Sequence, residues 1–208
     1  MLKPTTFLIL SLVALLTFSC KNDSQNPDKN ENESVAVEAA PELPKKRAAK
    51  KDLTEQDIAV IKSVMARVMN DGYLKRFASY LVTAELTDLL SNNSGPFTVF
   101  GATDTAIESL PAEKRNFYSN PENKEQLIIM LKLHIVEGNY DKSTLLQTID
   151  KSGKATIKTL AGTTLTITKS GEGLMVSNGK GVNAKVIKGS VEGSNGSVYV
   201  VDALLNAN

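Results

Sequence analysis

The sequence contains one cysteine, Cys20, one histidine, His134, and no tryptophan. A lone cysteine excludes a disulfide within the chain. A Cys/His zinc site is excluded as well, because it takes three or four such ligands. Aromatic residues make up only 5% of the chain, which argues against the stacking platforms of many sugar and single-strand nucleic-acid binders. Neither basic nor acidic residues are in marked excess. Lys and Arg total 24 against 23 Asp and Glu, so no net field gathers DNA or RNA, and no nucleic-acid partner is expected.

What is present begins with MLKPTTFLILSLVALLTFSC. Lys3 precedes an apolar run from Phe7 to Leu16, which is too short to span a bilayer and has the layout of a secretory signal. The run closes on Thr17-Phe18-Ser19-Cys20, and the small residue before the only cysteine resembles a bacterial lipoprotein lipobox. A leucine is usual three residues before that cysteine; here Thr17 stands there, with Leu16 one step further back. Residues 1–19 are therefore expected to be a lipoprotein signal, and Cys20 the lipid attachment point that holds the chain at the cell envelope, on the periplasmic or surface face of the outer membrane. The alternative is an ordinary signal peptide cleaved elsewhere.

Residues 20–52 form the expected tether. KNDSQNPDKNENESVAVEAAPELP is polar, acidic and proline-bearing, and such composition cannot bury a core. The basic cluster KKRAAKKD, Lys45 to Asp52, suits either anionic head groups or a solvated entry to the first helix, and the solvated entry is the simpler expectation.

Residues 53–206 carry the globular pattern. Ile58, Ile61, Met65 and Val68 fall on one helical stripe, as do Leu74, Phe77 and Leu81. Asn70-Asp71-Gly72 interrupts them, and Asn92 to Gly95 closes the helical part. A short strand is expected over Phe97–Phe100. The next helix is capped by Thr103 or Asp104, or opens on a capping box of Thr105 with Glu108. Pro121–Leu133 reads as a further helix, with Leu127, Met130, Leu131 and His134 on one face. After Gly138 the chain reads as β-rich: Thr156–Leu160, Thr163–Thr168, Leu174–Val176, Val182–Ile187 and Val198–Val201, with Asn195-Gly196 as the tight turn before the last. The class is α+β, helices packed on a small, mostly antiparallel sheet.

Four segments in this order resemble the fasciclin-like domain. They are Gly95-Pro96-Phe97-Thr98-Val99-Phe100 leading into Thr103-Asp104 and Leu110-Pro111; LKLHIVEGNY around His134; TLAGTTLTI, Thr159–Ile167; and SNGSVYVVDALL, Ser194–Leu205. Leu133 stands at a usual tyrosine, Ser190 at a usual aspartate and Tyr199 at a usual histidine. The resemblance implies a wedge of helices and sheet and motif positions at Thr103, Asp104, His134, Asn195, Gly196 and Tyr199. It also implies a surface-tethered adhesion or interaction module with a protein or polysaccharide partner, no cofactor and no catalytic residues.

The residues agree with a non-enzymatic role. A serine hydrolase needs a nucleophile beside an oriented base, and His134 lies in an apolar stretch with no Gly-Xaa-Ser-Xaa-Gly elbow in the chain. Asp104, Asp141 and Asp202 lack calcium-loop spacing. Two alternatives stand beside the adhesion module: an envelope hydrolase using His134, and a periplasmic lipoprotein that organises envelope components.

Overall fold

The computed structural model describes residues 52–91 and 95–206. The signal segment, Cys20, nearly all of the tether and most of the turn at Asn92–Gly95 lie outside the described residues. The elements run α1 (Glu55–Ile61), α2 (Val64–Asn70), α3 (Lys75–Thr83), α4 (Thr87–Ser91), β1 (Phe97–Ala102), α5 (Asp104–Glu108) and α6 (Ala112–Ser119). A 3₁₀ turn at Pro121–Asn123 leads into α7 (Lys124–Lys132), β2 (Ile135–Glu137) and α8 (Lys142–Ser152). Then follow β3 (Ala155–Lys158), β4 (Thr164–Ser170), β5 (Gly173–Ser177), β6 (Asn183–Gly193) and β7 (Gly196–Val201).

The seven strands form one mixed sheet in the order β2-β1-β7-β6-β5-β4-β3. Every pairing is antiparallel except β1 with β7, which run parallel from Phe97–Gly196 to Ala102–Val201. A bridge between Val136 and Thr159 brings the first and last strands together. β1 and β7 are buried along their whole length, which is why both read as near-continuous apolar runs rather than alternating ones. They divide two cores. Phe97, Val99, Val198 and Val200 face one formed with α2, α3 and α7, while Phe100, Tyr199 and Val201 face one formed with α8 and β3–β6. A Cβ at Gly101 would lie 2.8 Å from Leu74 Cδ1, so the smallest residue is needed where α3 crosses β1.

The structure departs from the sequence expectations in five places. Ile58 and Ile61 do not share a buried stripe with Met65 and Val68. The helix breaks at Lys62-Ser63, α1 buries no residue, and Ser63 restarts the chain by accepting the Ala66 N–H. The segment after Gly138 is not immediately β: α8 intervenes, capped by Asp141 and closed by Gly153 at φ 76°. A hydrogen bond from the Thr144 N–H, the leading cause, holds the Asp141 carboxyl below its usual range. Ala112–Ser119, whose sequence has no apolar periodicity, is helical, and β6 extends six residues beyond Ile187. Finally, His134 does not lie on the face of α7 but just past its end.

Candidate functional site

His134 enters the core where the chain turns from α7 into β2. Its Nδ1 donates to the carbonyl of Phe100 at 2.5 Å, and its Nε2 accepts the N–H of Leu205 at 2.9 Å. The Phe100 N–H returns a bond to the His134 carbonyl at 2.9 Å. Phe77 meets the imidazole edge-on at 5.3 Å. The side chain is fully buried, and burial pushes its pKa from 6.5 down to about 4. At neutral pH it is an uncharged tie between β1, α3 and the C-terminal segment, with both ring nitrogens engaged.

Asn195 forms a second buried node. Its Oδ1 accepts the Val64 N–H at 2.8 Å, its Nδ2 donates to the Leu90 carbonyl at 3.1 Å, and its own carbonyl accepts the Phe97 N–H at 2.9 Å. One turn residue thus joins the start of α2, the end of α4 and the start of β1. Gly196 lets β7 approach β1 there, at φ 141°. Thr103 caps α5 by accepting the Ala106 N–H at 3.0 Å. Asp104 acts elsewhere: its carboxylate accepts the Arg76 N–H at 2.7 Å and serves the first turn of α3. The Thr105–Glu108 box does not form, and Glu108 instead pairs with Arg76 Nε at 2.8 Å. Tyr199 stacks on Phe100 at 5.3 Å and donates its hydroxyl to the Tyr140 carbonyl at 2.8 Å; burial pushes the phenol up to about 12. Ser190 sits in the irregular stretch of β6 that presses Gly189 onto the Tyr199 ring.

The motif side chains of His134, Asn195, Thr103, Asp104 and Tyr199 therefore each bond to residues outside the motif set, and they are not gathered around one cleft. Among the described residues no group of three or more His, Cys, Asp or Glu side chains is placed to hold a metal. Two hollows among the described residues lie on the α6–α7 face. One, of about 370 Å³, is lined by Phe117, Tyr118, Ile129, Met130 and Leu133, with Lys180 its only charged lining residue. Its neighbour, of about 380 Å³, shares Phe117 and Tyr118 and adds Glu113 and Lys114. Phe117 and Ile129 are exposed there. This surface offers contact area, and its Glu113 and Lys114 make no ion pair with each other. Phe117 is not legible in the sequence as a surface residue of interest, because AEKRNFYS carries no apolar periodicity; Leu133 stands out there only as a departure from a motif.

The model of the fasciclin domain matches residues 72–207. The chain belongs to the fasciclin domain family. Fasciclin domains are in general non-enzymatic modules of cell adhesion and protein interaction. Similar proteins include sll1483 of Synechocystis sp., 38% identical over 122 residues, which are 59% of this chain and 61% of that protein. Immunogenic protein MPB70 of Mycobacterium bovis is 34% identical over 113 residues, 54% of this chain and 51% of that one. Stabilin-2 of Rattus norvegicus is 32% identical over 109 residues, 52% of this chain and 7% of that one. The chain spans less than two thirds of each of these relatives. In fold it resembles the FAS1 domain pair of the insect cell adhesion molecule fasciclin I, with a TM-score of 0.58 at 17% identity, covering 70% of this chain and 51% of that one.

α2 lies ahead of the residues that the family model matches, yet its Val64, Met65 and Val68 belong to the core. Among the described residues no helix is long and apolar enough to cross a membrane.

Proposed function

We propose that this fasciclin domain is a non-enzymatic adhesion module, held at the outer membrane of the cell envelope by a lipid on Cys20 and contacting a macromolecular partner through its surface. The observation that carries this reading is the burial of His134 with both ring nitrogens bonded inside the fold. The chain has no other imidazole, so a hydrolase built on it would have to open its own core. The family's general role in adhesion supports the same reading. A polar segment of about 30 residues, if it behaves as the tether its composition suggests, has a reach of roughly 30 Å, enough to hold a domain clear of a membrane and raise its effective concentration toward neighbours. Single contacts of about micromolar strength then suffice for firm multivalent attachment.

The test uses the full chain, expressed so that it can be acylated and reconstituted into fluorescent vesicles at rising density. The wild type takes up a fatty-acid probe and Cys20→Ser does not. Wild-type vesicles adhere to cells of the producing species steeply as density rises, while free monomer shows little binding. Turnover of esterase or glycosidase substrates by the monomer, with no adhesion at any density, would establish the hydrolase instead.

A further inference from the structure

The near-neutral total conceals a segregation of charge. Residues 52–137, which supply α1–α7 with β1 and β2, carry eight basic and twelve acidic side chains. Residues 138–190, which supply α8, β3–β5 and most of β6, carry eight lysines, no arginine and three acids, Asp141, Asp150 and Glu172. Of these lysines, Lys169 pairs with Asp150 and Lys188 with Asp71. The other six have no ion-pair partner among the described residues.

The register of β3–β6 decides where part of this charge points. Leu165, Ile167, Val176 and Ala184 pack toward Leu145 and Ile149 of α8. The alternate residues face the other way. Thr156, Thr166, Ser177 and Asn183 stand in one row across four strands, and Thr168, Met175 and Lys185 stand in a second. Lys158 is opposite Thr164. Lys158 and Lys185 are exposed at opposite corners of this polar face, roughly 20 Å apart on the diagonal at ordinary strand spacing.

We propose that this lysine-flanked, hydroxyl-bearing sheet face binds an acidic polysaccharide. Side chains repeat at about 4.8 Å across strands and about 6.8 Å along them, so hydrogen-bonding groups recur in two directions. That suits a linear polymer whose hydroxyls and carboxylates also recur, each contact being weak and the sum selective. Other polyanions fit less well. The face has no aromatic side chain on which bases stack, and no arginine fork for bidentate phosphate. Met175 and Ile187 are too little apolar surface to bury in a bilayer interface. The assignment presupposes the adhesive role proposed above and names its partner class.

The experiment measures retention of the full chain in detergent on immobilised polygalacturonate, against neutral dextran, over a salt gradient. Wild type binds polygalacturonate alone and is released by salt, since exposed charges are screened beyond a Debye length. Lys158→Glu/Lys185→Glu weakens binding at least about tenfold, the scale expected from reversing two surface charges. Lys75→Glu/Lys114→Glu, exposed on the helical side, changes it less than about twofold, because those charges lie outside the proposed contact. All variants keep the wild-type melting temperature. Equal loss in both pairs, no loss in either, or equal competition by duplex DNA or anionic phosphatidylglycerol vesicles overturns the proposal. Vesicle adhesion that survives Lys158→Glu/Lys185→Glu leaves the adhesive role standing and removes only this face from it.

Discussion

Replacing Gly196 by alanine abolishes the folded domain. A Cβ on Gly196 would stand 1.7 Å from the carbonyl oxygen of Phe97 and 2.7 Å from its carbonyl carbon. Both are backbone atoms, so no side-chain rotation relieves the clash. The residue also holds φ 141°, which L residues avoid. Gly196 is the register partner of Phe97 in the parallel β1–β7 pair, the wall shared by both cores. Relief therefore needs the central pairing to separate, a loss of about 5 kcal/mol or more in a domain whose whole stability is about 5–15 kcal/mol. Gly153→Ala is the control. It also has positive φ but nothing within 4 Å of the added Cβ, so it costs about 1 kcal/mol of backbone strain alone. Urea unfolding followed by circular dichroism separates them: a cooperative transition for Gly153→Ala, none for Gly196→Ala. Similar midpoints for the two variants would contradict the packing described.

His134→Ala lowers stability by about 3–5 kcal/mol near pH 7, combining a core cavity with the buried Leu205 N–H left without its acceptor. The pH dependence is more diagnostic. The unfolded imidazole binds a proton below its ordinary 6.5, whereas the folded one resists until about 4. Above pH 6.5 both states are neutral and the group adds no slope. Between 6.5 and 4 only the unfolded state is protonated, so wild-type stability falls with falling pH, by about 3 kcal/mol in all. His134→Ala lacks that slope while sharing every other titration. The gap between wild type and variant therefore narrows from pH 7.5 to pH 4.5. Parallel stability curves would mean an imidazole that titrates freely, exposed rather than locked between Phe100 and Leu205.

The parts of the fold legible in the sequence are those set by local pattern. β1 and β7 are continuous apolar runs because both faces are covered, and β4 alternates because only one face is. Thr103 shows as a cap because its target, Ala106, is three residues away. What escaped reading depends on distant partners. Ser63 ends one helix and starts another beside Asn195, which takes the Val64 N–H from 131 positions away. Asp104 looks like the cap of its own helix, but its carboxylate serves Arg76, 28 positions upstream. In α8 only Leu145 and Ile149 are buried among polar residues, too few to announce a helix, although Asp141 and Gly153 mark its ends. The lysine excess of residues 138–190 is visible as a count, but only strand register turns Lys158 and Lys185 to one face.

The central claim is that the family's motif residues build the scaffold while the surface does the binding. It is tested most directly by adhesion per folded molecule in Asn195→Ala. That variant loses the buried bonds to Val64 and Leu90 and alters no residue of the α6–α7 hollows or of the polar face bearing Lys158 and Lys185. Vesicles carrying it are assayed at a temperature where circular dichroism shows it folded, alongside wild type at equal density. The account predicts a lowered melting temperature and unchanged adhesion per folded molecule. Lost adhesion in a fully folded Asn195→Ala would place the function in the motif itself and contradict it.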